Sequence, residues 1–417
     1  MTSQRLNIRL SLVCLAAFSV ALPIAIISLA KLLLFICVLV LLTSGWFRRT
    51  NTQVRLPSTV PPMILLALAA MATSILWSTG TNDEALRAIV KHGKLALIPA
   101  FLLLVRSRDE ALTALACFMG GQVLLLASTW LLVMGIAMPW AKNPATTGSF
   151  AIFSSYLDQS IMTGVLAAMC WHLKVYAPGR WRTLYVPLIC VLALACVFVV
   201  FQGRTGYVVA AAMVALAALW EMPRRFRISA FVIPLVLLAL LAVNSSKISL
   251  GLMEIARGVA TFNNSDEIAN TSSGIRLNLW RRALQSILEN PGRGTGAGSW
   301  GRQLNREEEL HGAANVVKIA ANPHQEYLLW GIELGVPGIA LLFGVLFAIY
   351  RDSQHLGAPE RKALLSLLAA LALASLFNCA LYDAMIGDFF CIALAVVLAL
   401  GMHAPPSLAS GRAASTG

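Results

Sequence analysis

Charged side chains are scarce in this chain of 417 residues: only 12% of the residues are Asp, Glu, Lys or Arg, whereas 58% are hydrophobic. The mean hydropathy is +0.76, and this balance excludes an ordinary soluble globular protein. Apolar runs of roughly 17–25 residues, the length that crosses a bilayer as a helix, recur along the sequence. The composition therefore predicts an all-α, multi-pass membrane protein.

The sequence also lacks the common metal, redox and nucleotide motifs. The eight cysteines lie in or beside apolar segments, without a CxxC pair or a Cys/His cluster, so we interpret them as apolar core residues. The stretch GRGTGAGS (292–299) approximates a GxGxxG spacing, but no strand precedes it and a tight turn explains it better. We expect no metal and no cofactor.

Basic residues exceed acidic ones, with 32 Lys and Arg against 19 Asp and Glu. In a membrane protein, such an excess is explained by cytoplasmic loops that follow the positive-inside rule. A nucleic-acid partner is therefore not required, and we expect none.

The apolar runs predict about twelve membrane spans. They lie near 8–29, 31–47, 60–78, 90–105, 110–137, 150–171, 183–202, 205–221, 228–244, 325–350, 362–381 and 386–403. Residues 1–244 would hold nine helices, 245–324 a large outer loop, 325–403 three helices, and 404–417 a disordered cytoplasmic tail. All would form one integrated membrane domain.

Alternate loops collect the positive charge, which fixes the orientation with the N-terminus inside. The predicted inner residues are Arg48, Arg49, Arg55, Arg106, Arg108, Lys174, Arg180, Arg182, Arg224, Arg225, Arg227, Arg351, Arg361 and Lys362. The large loop 245–324 then lies on the outer face.

The segment 272–292 of this loop reads as an amphipathic helix that would lie on the membrane or on the helix bundle. Ser272 or Ser273 can cap it, and Pro291-Gly292 ends it. Its apolar stripe is predicted to consist of Leu277, Trp280, Leu284 and Leu288.

Arginines on the outer face are informative because the positive-inside rule disfavours them there. Arg204 lies in a break between two spans, flanked by Gly203 and Gly206, which permit close approach of backbone or ligand. Arg276 lies in the first turn of the amphipathic helix, where its charge opposes the helix dipole. Both suggest an anionic partner, against the alternatives of a helix-end arginine reaching toward water and of a solvated surface charge.

A third basic group, Arg87, Lys91 and Lys94, has the spacing of one helix face at the outer mouth of the fourth span. These residues are either interfacial anchors or a dock for a phosphorylated glycolipid. Asp158 is predicted about 13 Å along its helix from the outer end, as an intramembrane carboxylate with a functional role or as a partner of an arginine. Asp383 and Asp388 flank the last outer loop and are weaker candidates.

His324 stands in the motif Asn322-Pro323-His324-Gln325, at the start of an apolar run. Asn322 is predicted as the helix N-cap, Pro323 as the first helical position, and Gln325 as the partner in a capping box. His324 would then lie in the first turn, where the dipole disfavours imidazolium. A neutral imidazole at the outer boundary can act as a general base, although a hydrogen-bonded interfacial histidine is the simpler alternative.

Taken together, a base and two outer arginines suit a reaction of a lipid-linked diphosphate. Arginines bind phosphate oxygens in bidentate fashion and can neutralise a departing diphosphate. The histidine would take the proton from an incoming hydroxyl.

At these residues the chain resembles the O-antigen ligase and polymerase superfamily. The likeness lies in ENPGRGTGAGSW (289–300) and in NPHQEYLLWGIELGVPGIALL (322–342), and it extends over roughly 150–390. Gln325 stands where the family more often has Asn. The resemblance implies a metal-independent, inverting membrane glycosyltransferase of the GT-C type, with His324 as base and Arg204 and Arg276 as diphosphate ligands.

The resemblance further implies transfer of an O-polysaccharide from undecaprenyl diphosphate to a sugar hydroxyl of lipid A–core. The reaction would take place on the periplasmic face of the bacterial inner membrane. The Arg87, Lys91 and Lys94 face favours the ligase, because it could receive a phosphorylated core. An O-antigen polymerase is the first alternative, and a protein O-oligosaccharyltransferase is the next. A non-enzymatic transporter or flippase of lipid-linked sugars is the alternative of a different class, although the inverted repeats of many transporters are not found.

Overall fold

The computed structural model describes residues 2–45, 57–141, 144–201, 203–223, 225, 232, 272–304 and 322–403. Every regular element in these ranges is a helix. The longer α-helices are α1 (Thr2–Ser19), α2 (Ile24–Thr43), α3 (Val60–Thr73), α4 (Asn82–His92), α5 (Leu97–Leu104), α6 (Arg108–Val133), α7 (Tyr156–Leu173), α8 (Val186–Ala195), α9 (Arg204–Glu221), α10 (Ser272–Glu289), α11 (Glu326–Leu334), α12 (Val336–Ser353), α13 (Ala358–Phe377) and α14 (Ala384–Met402).

Shorter helical turns extend or join these helices. They are the 3-10 turns Ser74–Trp77, Gly93–Ala96 and Lys174–Tyr176, the π turns Trp181–Tyr185 and Cys196–Val200, and the α-helical turn Pro144–Thr147.

Seven helical segments of the described chain are long and apolar enough to cross a membrane, which confirms an all-α multi-pass membrane protein. They are Ile24–Thr43, Val60–Trp77, Arg108–Val133, Trp181–Val200, Arg204–Glu221, Val336–Ser353 and Ala384–Met402. The total of twelve spans and the GT-C type stay predictions. The predicted span 228–244 (apart from Val232) and the tail 404–417 lie outside the described residues.

Two predicted spans are interrupted. The run 90–105 consists of the end of α4, the 3-10 turn Gly93–Ala96 and the short helix α5. The run 325–350 is divided into α11 and α12 at Gly335. An apolar run identifies buried helical chain, but it does not show where the helix bends.

The last helix, α14, is the centre of the bundle. Residues 385–401 of it are buried inside the protein, and it packs against α5, α6 and α13. This is expected for a helix that is apolar on every side. Its one charged residue, Asp388, is fully buried and pairs with Lys31 of α2 at 2.7 Å.

The loops that the sequence predicts to be cytoplasmic lie at one end of the bundle, where polar contacts link them. Arg108 and Glu360 approach to 3.7 Å, and Lys362 and Glu221 to 3.4 Å. The carboxylate of Asp352 accepts the backbone N–H of Thr59 at 2.9 Å. The predicted outer segments therefore meet at the opposite end, where the candidate site lies.

Helices α7 and α9 are in close contact next to Arg204. A Cβ added at Gly206 would lie 2.1 Å from Oγ of Ser160, and one at Gly203 would lie 2.5 Å from the same atom. The two glycines therefore serve close packing of α9 against α7, which sets the position at which Arg204 enters the site.

We predict that Gly206→Ala destabilises the protein by about 1–3 kcal/mol, because the added methyl group overpacks this contact. Thermal unfolding in detergent measures the effect, with Gly120→Ala as control, since a Cβ there meets nothing within 4 Å. Replacing Ser160 by Gly in the Gly206→Ala variant should restore part of the loss. Equal stability of the Gly206→Ala and Gly120→Ala variants would contradict the close contact.

Candidate active site

His324 lies in a tight turn directly before α11. Its backbone φ is +51°, the only positive value at a non-glycine residue in the described chain. Such a conformation costs about 1–3 kcal/mol and persists only where the surroundings enforce it. Here the side-chain oxygen of Asn322 accepts the backbone N–H of His324 at 2.9 Å. The turn presents a half-buried imidazole.

The predicted capping pattern at this turn is wrong by three residues. Helix α11 begins at Glu326, and its N-cap is Gln325, whose side chain accepts the N–H of Leu328 at 2.7 Å. Asn322 does not cap the helix, because its side chain forms the preceding turn instead. Pro323 and His324 consequently lie outside the helix.

The loop between α13 and α14 holds this turn from the other side. The amide nitrogen of Asn322 donates to Oδ1 of Asp383 at 2.8 Å. Two residues after His324, the buried carboxylate of Glu326 accepts the N–H groups of Leu381 at 2.9 Å and Tyr382 at 3.3 Å. His324 is therefore anchored on both sides to the same loop.

Arg276 of α10 connects His324 electrostatically with Arg204 at the start of α9. Burial and the charge of Arg276 lower the pKa of His324. Burial lowers the pKa of Arg276, the charge of Arg204 adds to that effect, and Tyr156 opposes it. Arg276 thus lies within electrostatic range of both His324 and Arg204, two groups that are far from it in sequence. Burial and Arg276, rather than a helix dipole, account for the lowered basicity of His324.

The predicted common face of Arg87, Lys91 and Lys94 is not formed. Arg87 is exposed and pairs with Asp83 on its own helix at 2.6 Å. Lys91 lies over the ring of Tyr382, 4.3 Å from its centre. Lys94 is buried and donates to the carbonyl oxygens of Tyr382 at 2.9 Å and Asp383 at 2.7 Å. The 3-10 turn that begins at Gly93 changes the helical spacing, so Lys94 points away from Arg87.

Asp158 lies closer to the helix end than predicted. It is the third residue of α7, and its N–H donates to the hydroxyl of the N-cap Ser155 at 3.1 Å. The apolar residues 150–153 that precede it are not helical, which is why the predicted depth was too large. The carboxylate interacts electrostatically with Asp383 and Lys94, so it belongs to the surroundings of the His324 turn.

The amphipathic helix is present as α10, but its buried face differs from the prediction. Leu279, Ala283 and Ile287 are buried against Ile332 of α11. In contrast, Leu284 is 51% and Leu288 71% exposed. Both stripes have helical spacing, and packing on α11 selects the one with the smaller side chains. Ser272 and Ser273 are the first helical residues rather than caps.

The glycine-rich stretch after α10 forms the predicted tight turn and joins three parts of the fold. Gly294, Gly296 and Gly298 all have positive φ, which favours glycine. A Cβ at Gly298 would lie 2.4 Å from the carbonyl oxygen of Glu84 in α4. The N–H of Thr295 donates to the carbonyl of Ile332 in α11 at 2.8 Å.

A buried carboxylate that sequence reasoning missed completes this junction. Glu333 of α11 accepts the N–H of Gly298 at 2.9 Å, and its other oxygen lies 2.6 Å from Nε2 of His92 in α4. Both side chains are 1% exposed. The only sequence signal was a Glu within an apolar run, which does not identify a partner 241 residues away.

Metal ligands do not cluster in the part of the chain that the structure describes: no group of three or more His, Cys, Asp or Glu side chains could hold an ion there. All eight cysteines are free thiols. Metal independence of any reaction stays a prediction.

The fold and this site define a multi-pass membrane protein with a cationic, histidine-containing site at one end of its bundle. A family model described as O-Antigen ligase matches residues 189–343, a little over a third of the chain, including Arg204, Arg276 and the His324 turn. This match supports the resemblance to the O-antigen ligase and polymerase superfamily that the sequence motifs predicted. No curated protein matches the chain. The matched family implies, in general terms, a glycosyltransferase-like activity on lipid-linked glycans.

We predict that Glu333→Ala lowers the stability by about 3–5 kcal/mol, because it leaves a buried histidine and a buried N–H without their partner. Asp83→Ala is the matched control, since Asp83 forms an exposed ion pair of the kind that contributes little. Denaturation midpoints in detergent compare the two. Similar midpoints for both variants would show that the junction is not a main source of stability.

Proposed function

We propose that this protein is an O-antigen ligase that transfers O-polysaccharide from undecaprenyl diphosphate to a sugar hydroxyl of lipid A–core. The observation that supports the proposal most is that Arg276 lies within electrostatic range of both Arg204 and His324, which come from separate elements of the family-matched segment. The reaction would occur at the periplasmic face of the inner membrane, without metal and with inversion at the anomeric carbon.

Arg204 and Arg276 are proposed to bind the diphosphate. Two arginines within electrostatic range of each other repel, and Arg276 is largely buried, so an anion between them would relieve an unfavourable interaction. Guanidinium groups match phosphate oxygens in bidentate fashion. As the bond between the anomeric carbon and the diphosphate oxygen breaks, both electrons leave with the diphosphate, whose growing charge these groups would stabilise.

His324 is proposed as the general base. The low pKa that burial and Arg276 give it keeps the imidazole neutral at neutral pH. The acceptor hydroxyl would form the new bond to the anomeric carbon while its proton passes to the imidazole. Asn322 would hold the base in place through the turn. Asp158 and Gln325 are supporting residues in this proposal, Asp158 through the local charge and Gln325 through the cap of α11.

An O-antigen polymerase is the second candidate, because it would use the same donor and the same three residues. The contacts of Arg87 and Lys94 described above remove the basic face that favoured a phosphorylated acceptor. The ligase proposal therefore rests on the description of the family model. A flippase is less well supported, since transport does not require a base.

We predict that His324→Ala abolishes transfer while the protein remains folded in the membrane. Loss of the base should reduce the rate by at least about 100-fold. Turnover is measured with purified lipid-linked donor and lipid A–core. His355→Ala is the matched control, because His355 is exposed near the opposite end of the bundle. Full activity of the His324→Ala protein would refute the mechanism.

The same variant distinguishes the two enzymes when it replaces the natural protein in cells. If the protein is a ligase, polymer should accumulate on the lipid carrier and the core should remain bare. If it is a polymerase, the core should carry a single repeat unit. Unchanged lipopolysaccharide would exclude both.

We predict that kcat/KM falls at acidic pH as His324 becomes protonated, and that Arg276→Gln moves this fall to higher pH. The sign follows because Arg276 lowers the pKa of His324, so removal of its charge raises that pKa and the base is lost sooner on acidification. The pH profile of residual activity measures the shift, with Arg281→Gln on the exposed side of α10 as control. An unshifted or oppositely shifted profile would contradict the assignment of His324 as base.

A further inference from the structure

Lys94 is buried, and within the described part of the chain its hydrogen bonds go to the loop that anchors His324. It is 6% exposed, and two of its three N–H groups donate to the carbonyls of Tyr382 and Asp383. The backbone next to this loop packs closely against the lysine: a Cβ added at Gly387 would lie only 2.7 Å from Cδ of Lys94. A side chain so enclosed is unsuited to bind a large glycolipid phosphate directly.

The contacts beyond Lys94 lead to the backbone of His324. Lys94 donates a hydrogen bond to the backbone carbonyl of Asp383. The carboxylate of Asp383 accepts one from the side-chain amide of Asn322. The side-chain oxygen of Asn322 in turn accepts the backbone N–H of His324. Each link is between 2.7 and 2.9 Å. His324 needs such support, because its positive φ is unfavourable for a non-glycine residue.

The charge of Lys94 supports the same chain. Burial raises the pKa of Asp383, and the ammonium groups of Lys94 and Lys91 oppose that rise. An ionised Asp383 is the form that accepts the hydrogen bond from Asn322 most strongly. Loss of the lysine would raise the pKa of Asp383 further, which favours the protonated form, and that form holds the turn less firmly.

We propose that Lys94 is a positioning residue, which sets the orientation of the His324 imidazole through Asp383 and Asn322. The inference rests on the proposed role of His324 as base. It replaces the expectation that Lys94 binds a phosphate of the acceptor.

The first experiment is a double-mutant cycle with Lys94→Met and Asn322→Ala in the full-length protein. Each single variant should lower kcat by about 10–100-fold, since a small displacement of a catalytic group has effects of this size, with little change in the KM of the acceptor. Because both act through one chain, the double variant should be no slower than the worse single one. Multiplied effects, or a rise in acceptor KM alone, would overturn the proposal.

A second experiment reads the environment of His324 without using transfer activity. Modification of histidines by diethyl pyrocarbonate is followed by mass spectrometry of individual peptides. Lys94→Met should change the modification rate of His324 severalfold, and leave the buried His92 and the exposed His355 unchanged. A rate change at His92 as well, or an unchanged rate at His324, would contradict the proposal. Lys362→Met, near the opposite end of the bundle, is the control.

The two experiments separate this inference from the proposed function. If the His324→Ala protein is active, the proposed function fails whatever Lys94 does. If that protein is inactive but Lys94→Met and Asn322→Ala act independently, only the role of Lys94 is refuted.

Discussion

The buried carboxylates of the short helix α11 are the interactions on which the arrangement of the site depends. Glu326 and Glu333 are two turns apart and both fully buried. Glu333 is bound by the glycine-rich turn and by His92 of α4, whereas Glu326 is bound by the loop before α14. A buried carboxylate without partners costs several kcal/mol. These segments must therefore assemble around α11 for the chain to fold, and His324 is placed immediately before it.

The all-helical fold could be predicted from the sequence, but part of the candidate site could not. Apolar runs identified the helices, because a long apolar segment that is buried in lipid or protein must satisfy its backbone hydrogen bonds within a helix. Arg204, Arg276 and His324 are candidates because each is unusual at a predicted outer position. The structure places Arg276 within electrostatic range of the other two, but their functional roles remain proposals.

The errors have a common physical cause: short-range spacing does not determine which neighbour a side chain meets. Lys94 was assigned to the face of Arg87, but a 3-10 turn rotates it toward Asp383. Asn322 had the composition of a helix cap, but its side chain satisfies a nearer N–H. The partner of Glu333 lies in another helix far along the chain, and a single sequence holds no record of that pairing.

The complete burial of α14 has a consequence for the depth of the site. The loop that anchors His324 leads directly into this helix, whose surface is covered by protein over residues 385–401. Lipid-facing helices such as α2, of which only 22% is buried, can tilt or thin the bilayer around them when membrane thickness changes. The central helix is shielded from that adjustment. The position of the imidazole is therefore fixed relative to the protein interior. Its depth below the membrane surface would differ between bilayers of different thickness.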